Sequence, residues 1–144
     1  MKGSGSPPSC AGARKARKGV KMDRILVIDD DPQIREMLKQ LLERNGYEVI
    51  LAPEGRTGLK LHHQTPADLI VTDIVMPEKE GLETIMDFRR GFPGIKIIAI
   101  SGGGVVEADK YLNTAKALGA QRTFSKPFEL NEFMQAVRDL LPIS

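Results

Sequence analysis

No apolar run in this chain approaches the ~18–20 residues that a membrane-crossing helix needs, and the N-terminus lacks the apolar core of a secretory signal. Cysteine is nearly absent. The single Cys10 excludes an internal disulfide and agrees with a reducing compartment. No internal repeat is visible. Residues 1–22 contain no acid at all, yet hold six bases (Lys2, Arg14, Lys15, Arg17, Lys18 and Lys21). These absences predict a soluble, cytoplasmic protein. Its 144 residues make one domain, long enough to bury roughly two-thirds of its unfolded surface.

The formal net charge of +2 hides an asymmetry, because from Asp23 onward the chain carries 15 bases against all 19 acids. Met1 to Gly19 is rich in Gly, Ser, Pro and Ala without apolar periodicity, a composition that does not bury enough surface to fold. Residues 1–21 are therefore expected to be a disordered basic leader, and residues 22–144 the folded domain. The leader reads either as an arm for an acidic partner or as linker, since Gly3-Ser4-Gly5-Ser6 looks like linker.

From Arg24 onward strand and helix patterns alternate five times, which argues for a parallel sheet covered on both faces. Strands are predicted near 24–29, 47–51, 68–73, 96–100 and 121–125. The first helix is signalled by Asp31 as N-cap, Pro32 at the first helical position, apolar Ile34, Met37, Leu38, Leu41 and Leu42, and Gly46 as C-cap. A second helix, about 54–63, contains Gly55 and Gly58 and is expected to be weaker, because glycine costs ~1 kcal/mol relative to alanine inside a helix. Further helices are predicted at about 80–90, 105–118 and 129–141. The last should bury Leu130, Phe133, Met134, Val137 and Leu140. The adjacent His62 and His63 read as a solvated helix end, since neighbours on a helix project too far apart to chelate together.

Asp29-Asp30-Asp31, Asp73 and Lys126-Pro127 each close an apolar run. Strand ends of a parallel sheet gather along one edge, where ligands bind, so four acids and one lysine should meet there. Like charges ~4 Å apart cost about 4 kcal/mol at an effective dielectric of ~20, heavy against a domain stability of ~5–15 kcal/mol. A cation must offset that load. Asp31 is explained as a helix cap; Asp29 and Asp30 end an apolar strand and suggest a metal site. Mg2+ suits an open set of few carboxylates, because it keeps several waters and takes only one or two of them. Taken singly, Asp73 could be a turn residue, Lys126 a solvated surface group and Ser101 a helix cap.

Ile25-Leu26-Val27-Ile28-Asp29-Asp30-Asp31-Pro32, Val71-Thr72-Asp73-Ile74-Val75-Met76-Pro77, Ile98-Ala99-Ile100-Ser101-Gly102 and Phe124-Ser125-Lys126-Pro127-Phe128 together closely resemble the ordered signature blocks of response-regulator receiver domains. The resemblance runs from about Met22 to the C-terminus and implies a doubly wound α/β fold, flavodoxin-like (βα)5, with a five-stranded parallel sheet of order 2-1-3-4-5. It implies that Asp73 is the phosphoacceptor, taking a phosphoryl group from a phosphohistidine on a sensor histidine kinase or phosphotransfer protein. Asp30 and Asp73 would bind Mg2+ directly, Asp29 mainly through water, and the Val75 backbone carbonyl would complete the set. Lys126 would pair with the phosphoryl group. Ser101 and Phe124 would form the switch, passing the signal to a downstream partner through the helix-four, strand-five, helix-five face. The same resemblance leaves room for a phosphorylation-linked homodimer, and gives this domain itself no membrane or nucleic-acid contact.

Departures from the family pattern carry their own expectations. Gly102-Gly103-Gly104 predicts a mobile loop and an indistinct start to the fourth helix. Val75 offers no polar side chain to orient a hydrolytic water, so self-dephosphorylation should be slow. The family often has a cis bond before the proline of Lys126-Pro127, which sequence alone leaves open. Two alternatives remain beside the phosphoacceptor. A magnesium-dependent phosphatase could use Asp29-x-Asp31, but lacks a late acidic pair and meets Pro32. A receiver acting as a phosphorylation-independent interaction module is opposed by the presence of Asp30, Asp73, Ser101 and Lys126. A flavodoxin is disfavoured because the loop after the first strand is anionic.

Overall fold

The computed structural model describes residues 22–74, 80–101 and 108–142. The predicted leader, Val75 and the Gly102-Gly103-Gly104 loop lie outside them. Strands and helices alternate as β1 (Arg24–Ile28), α1 (Pro32–Arg44), β2 (Glu48–Ala52), α2 (Gly55–Gln64), β3 (Leu69–Asp73), α3 (Glu80–Gly91), β4 (Lys96–Ser101), α4 (Ala108–Leu118), β5 (Arg122–Ser125) and α5 (Leu130–Leu140). The sheet is parallel throughout, in the order β2-β1-β3-β4-β5. The fold is therefore the doubly wound, flavodoxin-like one expected.

Why the strands read as unbroken apolar runs follows from the period of two. Ile25, Val27, Leu69, Val71, Ile98 and Ile100 face a core completed by Leu38 and Leu42 of α1 and Phe133 and Val137 of α5. Their alternates, Leu26, Ile28, Ile70, Ile97 and Ala99, face a second core with Ile85 and Phe88 of α3 and Ala115 of α4. Two apolar faces leave no room for charge inside the sheet. Polar chemistry is confined to its ends.

Helix α1 begins as expected: the Asp31 side chain accepts a 2.9 Å bond from the Gln33 backbone N–H, with Pro32 next. Its cap at the other end is Asn45 rather than Gly46. Gly46 follows at φ +94°, the left-handed conformation that glycine adopts without a Cβ penalty. Leu130, expected to be buried, is exposed, and so is Met37 of the apolar stripe of α1. The buried stripe of α1 is narrower than its apolar one, and Leu130 opens α5 before that helix has turned onto the core.

Glycine in α2 has a packing role that propensity does not show. A Cβ on Gly58 would stand 2.5 Å from Ile28 Cδ1, and one on Gly55 would collide with Thr84 of α3. Both glycines let the helix approach its neighbours, which offsets their intrinsic cost. His62 also departs from expectation. It is buried, its Nδ1 accepts a 3.0 Å bond from the Ala67 N–H, and its ring meets Phe92 edge-on at 4.3 Å. Burial lowers its pKa, helped by the neighbouring His63. None of the described helices is long and apolar enough to cross a membrane.

Candidate functional site

Asp73 is the last residue of β3 and Ser101 the last of β4; Asp29 directly follows β1, and Lys126 directly follows β5. The ladder carries slightly past the strands to fix them: Asp29 N–H donates to Ala52 O at 3.1 Å, and Lys126 N–H to Ser101 O at 2.7 Å. Side chains 97 positions apart in sequence therefore meet at one edge. Lys126 Nζ donates to Asp29 Oδ2 at 3.1 Å and to Asp73 Oδ2 at 3.2 Å. Asp29 is only 1% exposed and Asp73 4%. The peptide bond between Lys126 and Pro127 is cis.

One oxygen from each of Asp29, Asp30 and Asp73 lies within 4.8 Å of the other two. Octahedral ligands at the ~2.0–2.1 Å of a Mg2+–oxygen bond are about 2.9 Å apart when adjacent and about 4.2 Å when opposite, so these oxygens would have to draw together to share one ion. Three carboxylates facing one ammonium leave a formal excess of two negative charges, which a divalent cation matches. Asp31, grouped with them by sequence, is exposed and turned to its capping role.

Electrostatics within the pocket are set by burial and by Lys126 together. Burial is the larger influence on Asp29 and raises its pKa, in spite of the Asp31 N–H bond and the Lys126 ammonium, which lower it. For Lys126 burial also disfavours the charged form, but the Asp73 and Asp29 carboxylates outweigh it and raise the pKa. The ammonium is thus a fixed cation. Ser101 Oγ is fully buried and has no hydrogen-bond partner among the described residues. Leaving a buried hydroxyl unpaired costs about 1–3 kcal/mol, so the site contains a donor that an oxyanion arriving among these strand ends would satisfy.

Phe124, in the middle of β5, packs its ring 5.7 Å from Phe128 and 5.8 Å from Phe133, and those two rings stand 5.3 Å apart. It is half-buried against the α1–α5 core. One neighbour of the pocket escaped sequence reasoning altogether. Arg35 Nη1 donates to the Asp29 backbone carbonyl at 2.7 Å. A long side chain reaching back six residues leaves no periodic signal.

The model of the response regulator receiver domain family matches residues 25–138. Among curated proteins, the transcriptional regulatory protein CpxR of Escherichia coli (strain K12) is 34% identical over 120 residues, which are 83% of this chain and 50% of that protein. Sporulation initiation phosphotransferase F of Bacillus subtilis is 28% identical over 84% of this chain and 95% of its own length. The chain spans about half the length of the first of these and nearly all of the second. Among solved structures, a CheY-like receiver domain protein from Methanospirillum hungatei superposes with a TM-score of 0.74 at 30% identity, over 84% of this chain and 94% of that one. A receiver domain protein from Clostridium thermocellum gives 0.75 at 28% identity, over 83% and 94%.

Proposed function

Because this chain belongs to the response regulator receiver family, we propose that Asp73 accepts a phosphoryl group from a phosphohistidine on a sensor histidine kinase or phosphotransfer protein, and that the aspartyl phosphate switches a protein-interaction face. The observation that carries this reading is the Lys126 ammonium bridging two buried carboxylates at 3.1 and 3.2 Å. Asp30 stands in the same cluster. A carboxylate oxygen of Asp73 attacks phosphorus as the phosphorus–nitrogen bond breaks, and the departing imidazole keeps the electron pair and takes a proton from solvent. Because the transition state is loose, the protein's share is positioning and charge compensation.

Each residue has a part in that step. Lys126 moves its hydrogen bond from the Asp73 carboxylate to a phosphoryl oxygen. Asp30, Asp73 and the Val75 carbonyl would hold Mg2+, with Asp29 acting mainly through water, and the ion would neutralise charge on the transferring oxygens. Ser101 Oγ donates to another phosphoryl oxygen, and that new bond draws the end of β4 inward. Phe124 follows by repacking against Phe128 and Phe133, which alters the surface of α4, β5 and α5 that a downstream partner or a second copy would read. With Val75 two residues past the phosphoacceptor, the phosphate is lost slowly. The protein would do this in the cytoplasm.

The test is incubation with Mg2+ and a small-molecule phosphodonor, followed by intact mass for the wild type and Asp73→Asn. The wild type should gain one phosphoryl group and the variant none. Uptake by both proteins would remove Asp73 from its role.

A further inference from the structure

Three hydrogen bonds close a ring in the turn between β1 and α1. Arg35 Nη1 donates to Asp29 O at 2.7 Å, Asp31 N–H donates to Asp29 Oδ1 at 2.8 Å, and Arg35 N–H donates to Asp31 O at 3.1 Å. Asp30 sits in the middle of that ring, exposed and without a cap or strand to hold it. Three successive acids repel one another and would spread the turn. A charge-assisted bond, roughly twice as strong as a neutral one, holds it closed.

We propose that Arg35 is a positioning residue for phosphoryl transfer: by tethering the Asp29 carbonyl it keeps the Asp29 and Asp30 carboxylates convergent on Asp73. The inference rests on the phosphoacceptor reading above. The choice of acceptor is informative. The guanidinium binds the backbone carbonyl of Asp29, so Arg35 itself takes up no carboxylate oxygen that a cation would use. Positive charge enters the turn without competing for its ligands. Partners that orient metal ligands in this way typically change metal affinity ~10–100-fold when removed.

The experiment uses the full chain as wild type, Arg35→Met and Arg35→Lys. Exchange of the Asp31 amide is followed by NMR without metal, Mg2+ affinity by calorimetric titration, and phosphorylation rate as a function of Mg2+. Arg35→Met should speed Asp31 exchange, weaken Mg2+ binding by about tenfold, the low end of that range, and recover most of its phosphorylation rate at saturating Mg2+. Arg35→Lys should restore part of the affinity. Should the methionine variant not fold, faster Asp31 exchange together with weaker Mg2+ binding in Arg35→Lys carries the same support, and wild-type values for both overturn the inference. Affinity in Arg35→Met that is unchanged or tighter also overturns it, because the arginine then acts only through packing or as a competing charge. A wild type that binds no Mg2+ sinks the phosphoacceptor reading as well, which separates the two failures.

Discussion

Replacing Lys126 by methionine keeps the length and apolar stem of the side chain while deleting its charge. At 3.1 and 3.2 Å and an effective dielectric of ~20, each attraction lost is about 5 kcal/mol before desolvation is counted. What remains is Asp29 and Asp73, both buried, with oxygens within 4.8 Å; their repulsion at the same dielectric is about 3.5 kcal/mol. That agrees with the ~3–5 kcal/mol seen when one partner is stripped from a buried pair. The variant should therefore lose about 3–4 kcal/mol at pH 7 without metal. With a urea slope of ~1–3 kcal/mol/M, the unfolding midpoint falls by about 1–4 M.

The pH dependence of that loss is the sharper check. Burial already raises the Asp29 pKa, and removing the ammonium raises it further. A carboxyl raised in the folded state contributes stability that is fully present below its unfolded pKa and is lost as pH rises through the folded one. Lys126→Met should accordingly recover relative to the wild type on acidification, at no more than ~1.4 kcal/mol per pH unit for one proton taken up, so the deficit at pH 5 should be smaller than at pH 7. Mg2+ at 100 times its dissociation constant should return ~2.7 kcal/mol at pH 7. A deficit under about 1 kcal/mol at pH 7, or one equal at both pH values, would refute the charge argument.

Other measurements bear on other parts of the molecule. Gly58→Ala should destabilise by about 1–2 kcal/mol in urea unfolding, because overpacking against Ile28 at 2.5 and 2.9 Å outweighs the helix-propensity gain of ~1 kcal/mol; a stabilised variant would show that Ile28 moves aside freely. His62, whose pKa is lowered by burial, contributes stability present above its unfolded pKa and lost as pH falls through the folded one. His62→Gln, which keeps an acceptor for Ala67 N–H, should flatten that limb between pH 7.5 and 5, and an unchanged slope in the variant would argue against it. Val75→Asn should shorten the aspartyl-phosphate lifetime on the order of tenfold by positioning a water, followed by mass after removal of donor; an unchanged lifetime would mean that Val75 does not set it.

Much of this molecule is legible from its sequence for one reason: buried parallel strands are apolar along their length, so any charge has to appear where they end. Asp29, Asp73, Ser101 and Lys126 stand out because each interrupts such a run. The N-terminus of α1 is legible because capping chemistry is local, confined to Asp31, Pro32 and Gln33. What escaped depends on neighbours far away in the chain. Gly58 looks like a helix defect until Ile28 is placed above it. His62 looks solvated beside His63 until Phe88 and Phe92 of the α3 region close over it. Arg35 gives no sign until the β1–α1 turn folds back under its guanidinium.

The acids at the ends of β1 and β3 are synthesised well before Lys126 at the end of β5. A chain emerging from the ribosome therefore presents its anionic edge without the matching ammonium until the final strand is made and docked against β4. Closing so distant a contact is entropically slow, so competence to receive a signal should arrive as a late, single event rather than growing with chain length. Half-made copies would stay silent.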